Sequence, residues 1–199
     1  PVFKSADLTN YDYEVLVHEI GHALGLKHPF EPDGTNLATL NVKEDNSKFT
    51  AMSYNDEAQT FSGSFRVLDW MALTKFYGVN EFMNSGDERY HFSSAHGIFI
   101  VDGAGTDTID TTEYMMASTY INLFSGSHSF LYEKSDYITD PYQLTISSGS
   151  KIENIVTGAG NDYLVGNNLA NQINSSGGDD KIYPAGGADV VLTGPGFDI

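Results

Sequence analysis

The strongest constraint on the fold is a nine-residue period near the end of the 199-residue chain. An acidic or amide residue stands at every ninth position from Asp162 to Asp198, and an apolar residue such as Leu164 or Ile173 follows two positions later. Glycine stands two positions before the acidic or amide residue in every repeat except the one that carries Leu169. The resulting pattern, Gly-Gly-x-Gly-x-Asp-x-apolar-x, is typical of calcium-bound parallel β-rolls.

Each residue type in the repeat has a physical purpose. The glycines permit a tight turn whose carbonyl groups face inward, where an aspartate oxygen joins them around Ca²⁺. The apolar residue begins a short strand that faces the interior of the roll. One coil is too small to bury a core alone, so stacking and calcium must supply the stability. The calcium ligands predicted in this segment are Gly158, Gly160, Asp162, Gly178, Asp180, Gly187 and Asp189.

The repeats are not equivalent. The repeat with Leu169 and Asn171 lacks both the glycine and the charged ligand, so we expect it to stack without completing a strong calcium site. In the next two repeats Ser175-Ser176 and Pro184-Ala185 replace the leading glycines. These replacements should restrict the backbone and weaken the sites.

Composition changes along the chain and suggests a domain boundary near residue 80. Residues 1–80 carry 11 acids, 6 bases and 5 glycines, whereas residues 81–199 carry 16 acids, 4 bases and 15 glycines. The total formal charge of −17 argues against nucleic-acid binding. The chain has no cysteine, which excludes disulfides and cysteine zinc sites, and no apolar run long enough to span a membrane.

A candidate zinc motif lies in the first segment. Apolar spacing predicts a helix over residues 11–27, and the i, i+4 spacing of His18 and His22 places both imidazoles on one face. Gly25 lets the backbone leave the helix so that His28 can return as a third nitrogen ligand. Three neutral imidazoles leave one position of a zinc ion open, as a catalytic site requires.

Two further residues fit the same site. Glu19 follows the first histidine and is not needed for coordination, so we expect it to take a proton from the water that attacks a peptide carbonyl and to pass it to the leaving nitrogen. Met52 lies in Ala51-Met52-Ser53-Tyr54, which follows a polar loop and matches the methionine turn under the metal of metzincins.

The stretch from His18 to Pro29, followed by Met-Ser-Tyr, resembles the serralysin family of secreted bacterial RTX zinc metalloproteases, which belong to the metzincin class. The resemblance implies that Tyr54 is an extra, displaceable zinc ligand that stabilises the oxyanion, and that Met52 forms a hydrophobic floor. It also implies an α+β fold, with the zincin lower subdomain, its zinc-binding helix and its Met-turn followed by a calcium-binding parallel β-roll/β-sandwich domain. Residues 1–80 would be the C-terminal part of the protease domain without its upper lobe, and residues 81–199 the RTX-type domain, truncated at its end.

The remaining elements are predicted from local pattern. A helix from about Val67 to Tyr77 links the two segments, with Asp69 as a cap at its start. Strands are predicted over residues 97–101, 114–130 and 137–147, where aromatic and β-branched residues concentrate.

An isolated copy of the repeat chemistry runs from Asp102 to Asp110. By resemblance to serralysins it binds calcium together with an upstream loop at residues 85–88 and an Ile-Glu-Asn segment at residues 152–154. Asp87 fits a solvated turn acid equally well. The ligands that the resemblance implies here are Gly86, Glu88, Asp102, Ala104, Gly105, Asp107 and Glu153.

The function expected from this resemblance is a secreted, extracellular bacterial zinc endopeptidase of broad specificity, exported by type I secretion and matured by calcium. Its cofactors would be Zn²⁺ and Ca²⁺, and its partners protein or peptide substrates, the missing N-terminal part of the same protease, or a proteinaceous inhibitor. Because family members are longer at both ends, the chain is expected to be a piece that alone binds zinc weakly and cleaves little. The alternatives are a non-catalytic calcium-dependent RTX module, an inactive protease fragment, and an astacin-like protease, which would lack the nine-residue repeat.

Overall fold

The computed structural model describes residues 9–34, 36–55 and 63–199. The chain divides into two compact units between Phe76 and Tyr77, four residues before the boundary that the composition suggested. The first unit carries the helices and the second carries the strands. Among the described residues, we find no helix with the length and apolar character needed to cross a membrane.

Helix α1 of the first unit spans Asn10–Ala23. It begins with a capping box, in which Asp12 N donates to Thr9 Oγ1 and Thr9 N donates to Asp12 Oδ2. The prediction that this helix extends to residue 27 was wrong. Gly25 adopts a φ of 90°, and Leu26 N donates back to Gly21 O in a Schellman-type ending.

Helix α2 spans Val67–Tyr77, as the sequence predicted. A small core lies beside it, formed by Leu26, Met52 and Leu73 with partly buried Phe65 and Trp70 against them. This core contains the residue of the predicted methionine turn, so the turn is packed into the unit rather than lying on its surface.

The second unit consists of short strands joined by tight turns. The strand predicted over residues 114–130 is instead divided, because a 3₁₀ turn at Thr112–Tyr114 precedes it and a turn between Phe124 and Ser127 interrupts it. The strand predicted over residues 137–147 shrinks to its second half. The strands are β1 Arg89–Tyr90, β2 Ile98–Ile100, β3 Thr108–Asp110, β4 Thr119–Asn122, β5 His128–Leu131, β6 Gln143–Ile146, β7 Asn154–Val156, β8 Tyr163–Val165, β9 Gln172–Asn174, β10 Lys181–Tyr183 and β11 Val190–Leu192.

These strands form two sheets with the nine-residue period built into them. One sheet is wholly parallel with the order β1-β3-β7-β9-β11, and the other has the order β10-β8-β4-β5-β6-β2 with antiparallel pairs only around β5. Successive repeats alternate between the sheets, so Tyr163 pairs with Lys181 and Gln172 with Val190, two repeats apart. This arrangement confirms the predicted parallel roll.

The core of the second unit is formed by apolar residues of the short strands and of the segments beside them. Ile109, Ile155 and Ile173 stand in register in the parallel sheet, and Ile121 pairs with Leu164 in the other. All five are at most 1% exposed. The apolar residue of each repeat therefore points inward, as the sequence pattern predicted.

Candidate metal centres

The three histidines of the predicted zinc motif meet at one point. Helix α1 carries His18 and His22 on one face, and the left-handed turn at Gly25 returns the chain so that His28 faces them. The Nε2 atom of His28 lies 3.2 Å from Nε2 of His18 and 3.1 Å from Nε2 of His22.

The opposite nitrogen of each ring faces an oxygen that can only accept a hydrogen bond. Because each neutral imidazole carries one proton, that proton belongs on Nδ1, and Nε2 is left with a lone pair directed at the meeting point. The three acceptors are Ala51 O at 2.8 Å from His18, Leu26 O at 3.0 Å from His22 and Glu31 Oε2 at 3.2 Å from His28.

Three lone pairs facing one another repel unless a cation lies between them. The Nε2 separations are close to the edge of about 3.3 Å expected for a tetrahedron with zinc–nitrogen bonds of about 2.0–2.1 Å. Imidazole nitrogen suits zinc and not calcium, which prefers oxygen. The residues present therefore fit a zinc ion.

Tyr54 and Glu19 stand beside this point. The Tyr54 hydroxyl lies 2.8 Å from His28 Nε2, although the residue is 67% exposed. Glu19 is exposed and, with Tyr54 and His18, lines a cavity of about 330 Å³. The other lining residues include Tyr11, Glu14, Val15 and Ala51.

The predicted methionine turn lies against helix α1. Met52 is 2% exposed, and a Cβ added to Gly21 of α1 would lie 2.4 Å from Met52 Sδ. A side chain at position 21 would therefore displace the Met52 thioether, whereas glycine lets the helix approach the turn closely.

Asp69 holds the same turn from the start of α2. Its carboxylate accepts hydrogen bonds from Arg66 N, as the predicted helix cap, but also from Ala51 N (2.7 Å) and Thr50 Oγ1 (2.6 Å). Burial raises the pKa of Asp69, although these donors oppose the shift. Since Ala51 O accepts from His18, the carboxylate supports the predicted zinc ligand His18 through the backbone of Ala51.

A second cluster of candidate ligands lies in the other unit. Carboxylate oxygens of Glu88, Asp102 and Asp107 lie within 4.8 Å of one another. One oxygen of each (Glu88 Oε2, Asp102 Oδ1 and Asp107 Oδ2) is buried without a hydrogen-bond partner. Burial raises the pKa of Asp107 to about 7, with Asp102 and Glu153 adding to the shift, and burial also raises the pKa of Asp102. Unpaired buried carboxylate oxygens of this kind fit Ca²⁺.

The other residues predicted for this cluster surround it. Glu153 Oε2 accepts from Asp107 N at 2.9 Å. Gly105 has a φ of 142°, and a Cβ on it would lie 1.7 Å from Gly86 O, so the two loops are in close contact. Ala104 is exposed, and Asp87 Oδ1 accepts from Thr106 N.

The repeats themselves stack their acids in line. Asp162 N donates to Asp180 Oδ1 at 2.9 Å, and the Oδ2 atoms of both residues are buried without a partner. Burial raises the pKa of Asp162 to about 6. Asp189 Oδ1 accepts from Asn171 N. The predicted glycines Gly158, Gly160, Gly178 and Gly187 each lie where a Cβ would come within 2.7 Å of a carbonyl oxygen of a neighbouring coil or turn.

In the repeat that has Asn171 in place of an aspartate, side-chain amides form the hydrogen bonds. Asn171 Nδ2 donates to Glu153 O and to Asn167 Oδ1, and its Oδ1 accepts from Asn167 N. Asn167 Nδ2 donates to Leu123 O and Ile152 O. Carbonyl oxygens beside this repeat therefore accept hydrogen bonds from side-chain amides, which agrees with the expectation that this repeat lacks a strong calcium site.

Several supporting residues were not recognised in the sequence. The Glu31 carboxylate accepts a hydrogen bond from His28 Nδ1. In the other unit, the Tyr90 hydroxyl donates a hydrogen bond to Asp102 Oδ2 at 2.5 Å. Phe30 stacks on His28 with ring centroids 5.2 Å apart. The position of Glu31, three residues after the last histidine, was the available signal, because zinc-binding histidines commonly bond a carboxylate.

Comparison with known families supports this arrangement in both units. Residues 2–69 match the Metallo-peptidase family M12B Reprolysin-like, and residues 148–168, 156–191 and 165–199 match the RTX calcium-binding nonapeptide repeat (4 copies). These two matches confirm the predicted pairing of a mixed α+β metallopeptidase segment with a β-roll. They imply zinc for the first segment and calcium for the second.

Individual relatives span both segments. Metallopeptidase AprA of Pseudomonas marginalis is 35% identical over 199 residues, covering 85% of this chain and 40% of its own length. Serralysin G of Dickeya chrysanthemi is 35% identical over 190 residues (84% and 38%), and Serralysin of Proteus mirabilis is 31% identical over 192 residues (84% and 38%). The chain thus spans about two fifths of the length of these relatives. Together with the two family matches, these identities show that the chain belongs to the serralysin family.

Proposed function

We propose that this chain carries the zinc centre of a secreted metalloendopeptidase and the calcium-binding roll that stabilises it. The observation that carries the proposal is the convergence of three imidazole lone pairs beside Glu19 and Tyr54, which line one cavity. The zinc ligands would be His18, His22 and His28, with Tyr54 as a further ligand. When bound, the zinc ion supplies Lewis acidity, which polarises a peptide carbonyl and makes a water molecule more acidic.

The chain's own residues supply the proton transfers. Glu19 is exposed at the cavity, where its carboxylate takes a proton from the attacking water and delivers it to the leaving nitrogen. The Tyr54 hydroxyl lies at the same point as the imidazole nitrogens and donates a hydrogen bond to the developing oxyanion. The substrate is a protein or peptide, and the cavity beside Glu19 is open to receive one of its side chains.

Calcium completes the second unit. Its side-chain ligands would be Glu88, Asp102, Asp107, Glu153, Asp162, Asp180 and Asp189, supplemented by carbonyl groups from the glycine turns. Five of these residues have a buried carboxylate oxygen without a hydrogen-bond partner, which favours a cation beside them: Glu88, Asp102, Asp107, Asp162 and Asp180. Extracellular calcium would then fold the roll after type I secretion.

The test combines metal content with catalysis. The zinc bound per chain is measured by equilibrium dialysis, and casein hydrolysis is measured on the protein as its gene encodes it. We expect one zinc ion per chain, and a fall of about 10²–10⁴-fold in hydrolysis for Glu19→Gln with zinc retained. A wild-type protein that binds zinc without cleaving casein would favour a non-catalytic calcium-dependent module instead.

A further inference from the structure

Tyr54 is held at the zinc centre mainly by ring contacts. Its residue is 67% exposed, and its hydroxyl lies 2.8 Å from His28 Nε2. The ring stacks on His18 with centroids 5.4 Å apart at 22°, and it lies 5.3 Å from the ring of Phe30 at 47°. An exposed tyrosine with one hydrogen bond would otherwise be free to rotate into solvent.

Phe30 also contacts the third histidine. Its ring is nearly parallel to that of His28, at 9° with a centroid distance of 5.2 Å. Both contacts fall in the range of favourable aromatic pairs. Phe30 therefore touches the two side chains, His28 and Tyr54, whose polar atoms meet at the metal position. Having no polar side-chain atom, it can act there only through them.

The backbone that carries Phe30 is anchored on both sides. Pro29 is buried, and its carbonyl accepts from Leu40 N at 2.8 Å. The Lys27 ammonium group donates to Glu31 O at 2.7 Å and to Ala38 O at 2.5 Å. The phenyl ring is thus supported by a fixed loop, which allows it to restrict the side chains that it contacts.

We propose that Phe30 is a positioning residue of the zinc centre, which orders the His28 imidazole and holds Tyr54 against the metal position. The inference rests on the zinc site proposed above. Removing the ring should leave both side chains free to rotate, so that each must be ordered when the ion binds. Two aromatic contacts of ordinary strength correspond to a loss of roughly tenfold in zinc affinity.

The experiment measures zinc affinity by chelator competition on the 199-residue chain in calcium-containing buffer. We expect Phe30→Ala to bind zinc about tenfold more weakly than the wild type. Phe30→Tyr keeps the aromatic ring and should bind zinc with the wild-type affinity. Phe30→Leu keeps only an apolar side chain of similar size and should bind zinc more weakly than the wild type. Thermal unfolding without zinc reports whether each variant keeps its fold.

A double-mutant cycle separates positioning from general packing. In a Tyr54→Ala background the loss caused by Phe30→Ala should be smaller, because one of its two contacts is already gone. Equal losses in both backgrounds, or a Phe30→Leu variant that binds like the wild type, would overturn the inference. A wild-type chain that binds no zinc would instead overturn the proposed function.

Discussion

At the residue scale, the three histidines of the proposed zinc site form hydrogen bonds to groups that the sequence pattern did not reveal. The spacing of the histidines could be predicted because it follows helical geometry. The link from Asp69 through the Ala51 backbone to His18 could not be predicted, since it joins residues distant in the chain. Asp69 was predicted only as a helix cap, which describes one of its three hydrogen bonds.

Replacing Asp69 should therefore weaken zinc binding. Asp69→Asn places an amide N–H₂ among backbone and hydroxyl donors, so the Ala51 backbone loses support and His18 is less well oriented. We expect roughly tenfold weaker zinc binding by chelator competition. Asp136→Asn, at an exposed acid, is the matched control and should bind zinc normally. Unchanged affinity in Asp69→Asn would show that the link to His18 is unimportant.

Backbone strain in the roll gives a second prediction at this scale. Ala185 has a φ of 70° where the next repeat on the chain has Gly194 at 73°. Because a Cβ is disfavoured in this conformation, Ala185→Gly should raise the free energy of unfolding by about 1 kcal/mol in calcium. Ala188→Gly, at an exposed alanine without positive φ, should not stabilise the protein. Thermal denaturation of both variants checks this, and a lower melting temperature for Ala185→Gly would contradict it.

At the scale of elements, the sequence predicted where the helices and the repeat strands lie, but it predicted their first and last residues poorly. The strands from β8 to β11 lie where the repeat placed its apolar residue, because that residue has a buried position in each coil. Helix α1 ends four residues early because the left-handed Gly25 outweighs the apolar spacing that continues to residue 27. The segment at residues 114–130 has strand-like composition, but turns fixed by tertiary contacts divide it.

A prediction at this scale concerns the repeat that contains Asn171. Asn171→Asp removes the N–H₂ group that bonds Glu153 O and Asn167 Oδ1 and places a carboxylate against both oxygens. We expect a lower melting temperature in calcium-free buffer and partial recovery when calcium is added. Asn161→Asp is the control, since Asn161 uses only its oxygen to accept from Asp179 N, which an aspartate can also do. Equal melting temperatures for the two variants without calcium would contradict this account.

At the scale of the whole molecule, the charge of −17 and the absence of cysteine belong together. Acids buried in the roll are unfavourable without a cation, and no disulfide is available to stabilise the chain. Asp107 and Asp162 have pKa values raised by burial to about 7 and about 6. The pKa of Asp107 is raised further by three neighbouring acids, Glu88, Asp102 and Glu153.

These shifts predict how stability depends on pH. In the unfolded chain both acids ionise near pH 4, whereas in the fold they remain protonated to about pH 6–7, so the folded state binds more protons in this window. Without calcium, the free energy of unfolding should therefore fall as the pH rises from about 4 to about 7. Calcium binds the ionised form and should abolish most of that fall. Melting temperatures across this range, with and without calcium, test the prediction; a rise with pH in calcium-free buffer would refute it.

The central claim is that three imidazoles of this chain hold one zinc ion through Nε2. X-ray absorption spectroscopy at the zinc edge, on the zinc-loaded 199-residue chain, tests it most directly. The account predicts a first shell of nitrogen and oxygen at about 2.0–2.1 Å with the outer-shell scattering of three imidazoles. A shell of oxygen alone, or one with a single imidazole, would contradict it.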